Sequence, residues 1–381
     1  MLRKIRQKLL NPVLYKLTEH DEILSKLLIN MQKLEEKINF LLTKDENHQV
    51  AEIPYLGKKL LFVIQKNVFD DLSEEIRKGN LPINSMLVNL FNKSGTFLDI
   101  GGNIGVFSIA FAAKGWKGLT IEASAKNVEV LVKSVNLNNF DIRIINKAIS
   151  DSSGELFFMQ AGPYGRIKQE LHKNCDYEKI DCICLDDCIN TYFSDISTID
   201  FIKIDIEGSE VAALKGMQNF LDFYNYPTIY IEVNTLCLCE QGESYSSLMN
   251  ELKKLGYSAY TLNDDSLQNY NMEMFPKSPV FDLLMMKNIP VDFSEKIEHN
   301  KYVADDLSYI ENILEKYSSQ TNNEGLETAC VAYTLKDYPQ YNSLPNIINH
   351  LSRITKTISE IHPHACAYNW IKEAYPNTHE I

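Results

Sequence analysis

The residues with most to say about chemistry are charged ones set inside greasy stretches. Lys203, Asp205 and Glu207 alternate through Ile199 to Val211 (IDFIKIDIEGSEV), between Phe201, Ile202, Ile204 and Ile206. Alternation places all three on one face of an extended chain. A buried strand tolerates charge only where it is paired or faces a ligand. Carboxylates held there can act as general bases, with Asp205 the first candidate and Glu207 the second. Lys203 can pair with Asp205 or another carboxylate, and a purely structural ion pair is the competing view. Glu232, near the end of Thr228 to Asn234 (TIYIEVN), is a further candidate. The same carboxylates could hold a divalent cation that acidifies a hydroxyl, although no metal ligand set is assigned.

A second group lies in Thr96 to Ser108 (TFLDIGGNIGVFS), where Asp99 sits in an apolar run ending at Gly101-Gly102. The glycines let backbone and ligand approach closely, and the helix that follows offers unpaired N–H groups. Dinucleotide sites use G-x-G-x-x-G; here Asp99, Gly101 and Gly105 give D-x-G-x-x-x-G, without the glycine that admits a pyrophosphate. That spacing favours a ligand with no diphosphate, such as S-adenosyl-L-methionine. Glu122 ends the run GLTIE about twenty positions later, where nucleoside sites place a carboxylate on the ribose hydroxyls.

Strand ends converge only in a parallel sheet, so the elements follow. Phe97 to Ile100 is the first core strand, and Val106, Phe107, Ile109, Ala110 and Ala113 mark the helix after it. Strands follow at Gly118 to Glu122, Ile142 to Ile149, Phe201 to Ile206, Thr228 to Asn234, Tyr257 to Leu262 and Phe281 to Lys287. A short one spans Glu155 to Met159. Helices span Ala125 to Asn138 and Ser244 to Leu255. The last two strands have no helix between them, so one must run antiparallel. The expected fold is α/β, a Rossmann-like doubly wound seven-stranded sheet with one antiparallel strand, over residues 96–290.

The flanks differ. Residues 1–16 carry Arg3, Lys4, Arg6, Lys8 and Lys16 beside Leu2, Ile5, Leu9 and Leu10, which suits either peripheral contact with an anionic membrane or a solvated basic helix. Leu24, Leu27, Met31, Leu34, Ile38 and Leu41 form a heptad seam, coiled-coil-like, that leads to a homo-oligomer or to packing on the chain's own domain. Lys44 to Gln49 reads as a linker closing the segment 1–50. Residues 51–95 read as a cap, with a strand at Lys59 to Ile64 and helices at Asp70 to Lys78 and Ser85 to Asn92. The polar loop Ala161 to Tyr177 could offer Tyr164, Arg166, His172 and Tyr177 to an acceptor. Residues 291–381 show helical periodicity with no strand signal.

A net charge of −13 argues against a nucleic-acid partner. No apolar run is long enough to span a bilayer and no secretory signal is visible, so a cytoplasmic chain, in contact with the inner membrane face if 1–16 binds it, is expected. The eight cysteines do not form a disulfide framework in a chain of 381 residues. Cys182, Cys184 and Cys188 lack zinc spacing, as do His362, His364 and Cys366.

With these stretches in place, the chain resembles class I methyltransferases, and more narrowly the FkbM family, over about residues 85–290. FLDIGGNIGVFS, TIEAS, NKAISDSSGELFF, IDFIKIDIEGSEVAALKGM and PTIYIEVN carry the resemblance in order. Gly102 stands where the family usually has alanine, a harmless departure, and Ala123-Ser124-Ala125 where proline is common. The resemblance implies S-adenosyl-L-methionine held by Asp99, Gly101, Gly102, Asn103, Gly105, Phe107 and Ser108, with Glu122 on the ribose. It puts Ala148, Ile149 and Ser150 near the adenine. Lys203, Asp205 and Glu207 then border the reaction centre, and the implied acceptor is a hydroxyl of a carbohydrate or similar compound. A non-catalytic scaffold and a nicotinamide-dependent oxidoreductase on the same fold are the rival readings.

Overall fold

A computed structural model describes residues 47–68, 70–91, 93–159, 165–168, 177–263, 266–298, 306–316, 322–355 and 362–374. The basic segment, the heptad seam, Tyr164 and His172 lie outside the described residues.

The chain enters as a hairpin. β1 (His48–Tyr55) and β2 (Lys58–Gln65) pair antiparallel across Leu56-Gly57, both in the left-handed region as a two-residue hairpin turn requires. β1 therefore begins inside the stretch read as a linker, because its mixed composition hides a strand that is half exposed. Two short helices follow, α1 (Asp71–Arg77) and α2 (Ser85–Leu90), capped by Asp70 and Asn84, whose side chains accept backbone N–H groups.

The core opens with β3 (Thr96–Ile100), α3 (Val106–Ala113), β4 (Lys117–Ile121), α4 (Ala125–Asn138) and β5 (Ile142–Ile145). Every residue of α3 is buried, since β3 lies on one side and the hairpin region on the other. α4 also secures the hairpin: Val63 N donates to Ser134 Oγ at 2.9 Å and Leu61 N to Asn138 Oδ1 at 2.9 Å. β6 (Ala148–Ile149), β7 (Gly154–Met159), β8 (Arg166–Lys168) and β9 (Tyr177–Ile183) then form a separate four-stranded sheet in the order β6-β9-β7-β8. Ile142 to Ile149, expected as one strand, is thus split between two sheets. Asn146 makes the break, its Nδ2 donating to the carbonyls of Glu122 at 2.8 Å and Ala123 at 3.0 Å.

The chain returns through α5 (Leu185–Tyr192), β10 (Phe201–Ile204), α6 (Glu210–Lys215), α7 (Gln218–Phe223), β11 (Thr228–Asn234), α8 (Thr235–Glu240), α9 (Tyr245–Lys254), β12 (Ser258–Leu262), β13 (Leu267–Tyr270), β14 (Val280–Met286) and β15 (Ile297–Glu298). The large sheet runs β15-β13-β12-β14-β11-β10-β3-β4-β5. β5, β4, β3, β10 and β11 are parallel, and β14 runs antiparallel between β11 and β12. The seven expected strands are all in it. Two more, β13 and β15, extend one edge to nine, so β14 is not the sole reversed strand. They are short and mixed in character, which leaves no alternation to read. β15 also gives 291–381 a strand that periodicity missed.

One face of the sheet is aromatic. Phe201 stacks on Phe107 at 5.5 Å and on Phe111 at 5.4 Å, and Phe91 meets Phe201 edge-on at 4.6 Å. The other face carries Leu214, Phe220 and Leu248, in one core with Ile310, Leu335, Ile347 and Leu351 of the C-terminal helices. Those helices pack on the domain; each fully buried leucine or isoleucine contributes about 1.5–3 kcal/mol.

Candidate active site

The site is built where β3, β4, β10 and β11 end. Gly101 has φ +81, and a Cβ there would stand 1.8 Å from the Asp205 carbonyl oxygen. The turn after β3 and the turn after β10 cross that closely, so only glycine fits. Asn103, also left-handed at φ 49, turns its N–H to Glu122 Oε2 at 2.8 Å, and Ser124 N donates to Oε1 at 2.8 Å. Glu122 therefore ties the glycine turn to the start of α4. Burial pushes its carboxyl up, against the pull of those backbone donors. Gly102 is not a neutral departure from alanine, because a Cβ there would meet Thr120 Cγ2 at 2.0 Å.

Asp99 lies beneath this turn with no exposure. Its Oδ2 accepts from Ser108 Oγ at 2.5 Å, which also meets Thr120 Oγ1 at 2.6 Å. Its Oδ1 has no hydrogen-bond partner among the described residues and faces Lys203 Nζ at 3.8 Å. Burial holds the Asp99 carboxyl above its usual range, and Lys203 opposes it. Lys203 donates to the Gly101 carbonyl at 2.9 Å and pairs with Asp205 Oδ2 at 2.9 Å. Burial alone would depress its ammonium, but Asp205 and Asp99 outweigh that and hold it above the ordinary lysine value.

β10 stops at Ile204, so Asp205 and Glu207 are gathered by a turn rather than by strand alternation. Glu207 sits at φ 51, and Gly208 at φ +100 would clash with the Cys237 carbonyl if it bore a Cβ. Glu210 closes the turn from within, its Oε1 accepting from Ile206 N at 3.1 Å and Gly208 N at 3.2 Å. Its burial drives the carboxyl up to about 7. Glu207 Oε2 accepts from Asn234 Nδ2 and Cys237 Sγ, both at 3.1 Å. Glu232 is pushed up to about 9, first by burial and then by Asp205, Glu207 and Asp282. Asp205, Glu207 and Glu232 each offer an oxygen within 4.8 Å of the others, a spacing that would suit one divalent cation.

Two cavities open here. The first, about 220 Å³, is lined by Ile121, Ala148, Ile149 and Phe158 together with the carboxylates of Glu122, Asp205, Glu207 and Glu232. The second, about 290 Å³, runs under α2 past Gly102, Phe107, Lys203, Tyr230 and Asp282. Leu72, Asn103, Asp205 and Glu232 line both.

Residues 99–259 match the methyltransferase FkbM domain family. That stretch is an FkbM methyltransferase domain. Among solved structures, methyltransferase FkbM from Methylobacillus flagellatus KT is similar at 23% identity, covering 37% of this chain and 33% of that one, with a TM-score of 0.27. The chain thus spans about a third of the length of that protein. Precorrin-6y C5,15-methyltransferase from Geobacter metallireducens GS-15 is similar at 10% identity, 60% and 93% coverage and TM-score 0.32. The Pyrococcus abyssi tRNA (uracil-54, C5)-methyltransferase, solved with S-adenosyl-L-homocysteine, shows 14% identity, 62% and 43% coverage and TM-score 0.30. No curated protein matches the chain.

Within the FkbM domain the residues singled out from sequence fall into two sets. Gly101, Gly102, Asn103, Phe107, Glu122, Ala148, Ile149, Lys203, Asp205, Glu207 and Glu232 line one cavity or both. Asp99, Gly105 and Ser108 line neither and act from below: Gly105, at φ +93, starts α3 against Leu131, and Ser108 braces Asp99. Ser150 also stands outside the walls, its N–H spent on the Ile183 carbonyl at 3.1 Å. Asp282 and Tyr230, which hydrogen-bond to each other, were not anticipated. Asp282 faces Glu232 only because β14 pairs antiparallel with β11, and no local pattern encodes that register.

Proposed function

We propose that the chain is an S-adenosyl-L-methionine-dependent O-methyltransferase whose acceptor is a hydroxyl of a sugar or glycan. The observation that carries this reading is that Glu122 shares the first cavity with Asp205, Glu207 and Glu232, and that Asn103, Asp205 and Glu232 also line the second, so a ligand seated at Glu122 adjoins the space where an acceptor meets the carboxylates. The residues fit such a ligand. Each Glu122 oxygen has a backbone N–H donor; Oε1 also accepts from Asn127 Nδ2 at 3.4 Å, and Oε2 keeps a lone pair for a ribose hydroxyl. Ile121, Ala148, Ile149 and Phe158 give a flat base apolar walls. The carboxylates beyond Lys203 supply charge opposite to a sulfonium. S-adenosyl-L-methionine, when bound, supplies an electrophilic methyl on a good leaving group.

Asp205, a third exposed and braced by Lys203, is the group that takes the hydroxyl proton. Glu232, with its carboxyl at about 9, stays protonated at neutral pH and offers a donor to the acceptor. Holding the hydroxyl in line contributes roughly 7–11 kcal/mol, and proton removal a further factor of about 10²–10⁴.

The test is calorimetric titration with S-adenosyl-L-homocysteine, followed by transfer from labelled S-adenosyl-L-methionine to neutral glycans and sugar nucleotides. Binding of the homocysteine, transfer to a carbohydrate, and loss of transfer with retained binding in Asp205→Asn are expected. Tighter binding of a nicotinamide dinucleotide, or no carbohydrate labelled, would overturn the proposal.

A further inference from the structure

The strands beside the first cavity are tied to α8 by side-chain contacts centred on Arg166. Arg166, on the edge strand β8, lines that cavity together with Phe158 and Ile167. Its Nη2 pairs with Glu240 Oε1 at 3.1 Å, and its Nη1 donates to Cys237 Sγ at 3.3 Å. Gln241 adds a bond from Nε2 to the Ile167 carbonyl at 2.5 Å. All three partners belong to α8 or its cap, which leaves β11 directly after Glu232 and Asn234. Cys237 in turn donates its thiol hydrogen to Glu207, and burial together with the Glu207 charge raises the thiol so that it keeps that proton. A chain of contacts therefore runs from β8 through Arg166 and Cys237 to Glu207, which faces Asp205 and Glu232.

We infer that Arg166 is a positioning residue that couples the cover of the cofactor cleft to the placement of the Glu207 carboxylate. The inference rests on the cleft assignment made above. Arg166 is 23% exposed and Glu240 11%, so solvent screens their pair only in part. The planar guanidinium reaches carboxylate and sulfur at once, whereas a lysine presents a single point charge. Arg166 Nε is buried with no partner among the described residues, so the pair and the sulfur contact are what hold this side chain. Its sequence position in a polar loop suggested acceptor contact; in the structure the guanidinium also engages Cys237 and Glu240 at the cavity wall.

The experiment uses the full chain and two readouts. Hydrogen exchange on the free protein is followed in the segments 154–159 and 205–210, and S-adenosyl-L-homocysteine affinity is measured by calorimetry. Arg166→Ala is expected to raise exchange in both segments and to weaken the homocysteine about tenfold, within the usual range of coupling between sites. Arg166→Lys, which keeps the stem and charge and so folds where alanine fails, should loosen 205–210 as well. The exchanged pair Arg166→Glu with Glu240→Arg should restore part of the protection in 154–159 but not in 205–210, since no donor then reaches Cys237. Unchanged exchange at 205–210 in both Arg166→Ala and Arg166→Lys would overturn the inference. Failure of the native chain to bind the homocysteine would instead count against the cofactor reading.

Discussion

Replacing Lys203 by methionine keeps the length of the side chain and removes its charge. Lys203 Nζ donates to the Gly101 carbonyl, pairs with Asp205 at 2.9 Å and faces the buried Asp99 at 3.8 Å. Asp205 is a third exposed, so water replaces most of what it loses, a cost under about 1 kcal/mol. Asp99 has no such recourse, and breaking a buried pair by removing one partner costs about 3–5 kcal/mol. At about 2–4 °C per kcal/mol for a domain of this size, the melting midpoint should fall by roughly 6–20 °C.

The pH dependence fixes the cause. Burial already raises the Asp99 carboxyl, and without Lys203 it rises further. The native state then holds a proton that the unfolded chain releases at the ordinary carboxylate value, so stability falls as pH rises between those two values. The deficit of Lys203→Met should accordingly grow as pH rises and shrink as it falls. Adding Asp99→Asn should recover most of it, because the unpaired charge is gone. Thermal unfolding followed by circular dichroism between about pH 5 and 8 reads all three chains. A midpoint shift below about 3 °C, a deficit indifferent to pH, or a double variant no better than the single one would refute the reasoning.

Three further outcomes are expected. The Glu210 carboxyl is raised from 4.5 to about 7, so its contribution makes stability decline with rising pH across that window, and Glu210→Gln should flatten the slope in urea unfolding while keeping the Oε1 acceptor. Gly101→Ala must absorb both a left-handed φ and a Cβ 1.8 Å from a carbonyl oxygen, which should lower the unfolding free energy by about 2–6 kcal/mol. Glu122→Ala strands the Asn103 and Ser124 N–H groups and removes the acceptor proposed for the ribose; calorimetry should show S-adenosyl-L-homocysteine bound at least about tenfold more weakly, with Glu122→Gln less affected.

Much of the site was legible because it is written locally. The glycines of the β3 turn, the carboxylate after β4 and the charges after β10 each interrupt an apolar run, and a buried run admits such residues only for a reason. Residues that share a wall without sharing a segment were not legible. Leu72 and Leu87 reach the second cavity from the cap, and Arg166 reaches α8 from another sheet, contacts that no periodicity records. The segment Ile142 to Ile149 shows the same limit, since its apolar alternation is continuous while Asn146 bends it across the end of β4.

By itself the sequence determined the seven core strands, the helices after β3 and β4 and before β12, the reversal before the last core strand, and Glu122, Asp205 and Glu232 as carboxylates set near strand ends. These follow from short-range rules: burial periodicity, glycine at a left-handed turn, and the cost of charge in an apolar strand. Only the tertiary structure decided which charges meet. Lys203 is divided between Asp99 and Asp205, Glu207 leans on Cys237, and Asp282 stands across from Glu232, because strand order and register bring together residues far apart in the chain. Those pairings help set how far the Asp99, Glu207, Glu232 and Asp282 carboxyls are pushed up, and the desolvation that drives the push exists only once the sheet and its covering helices have closed over the site.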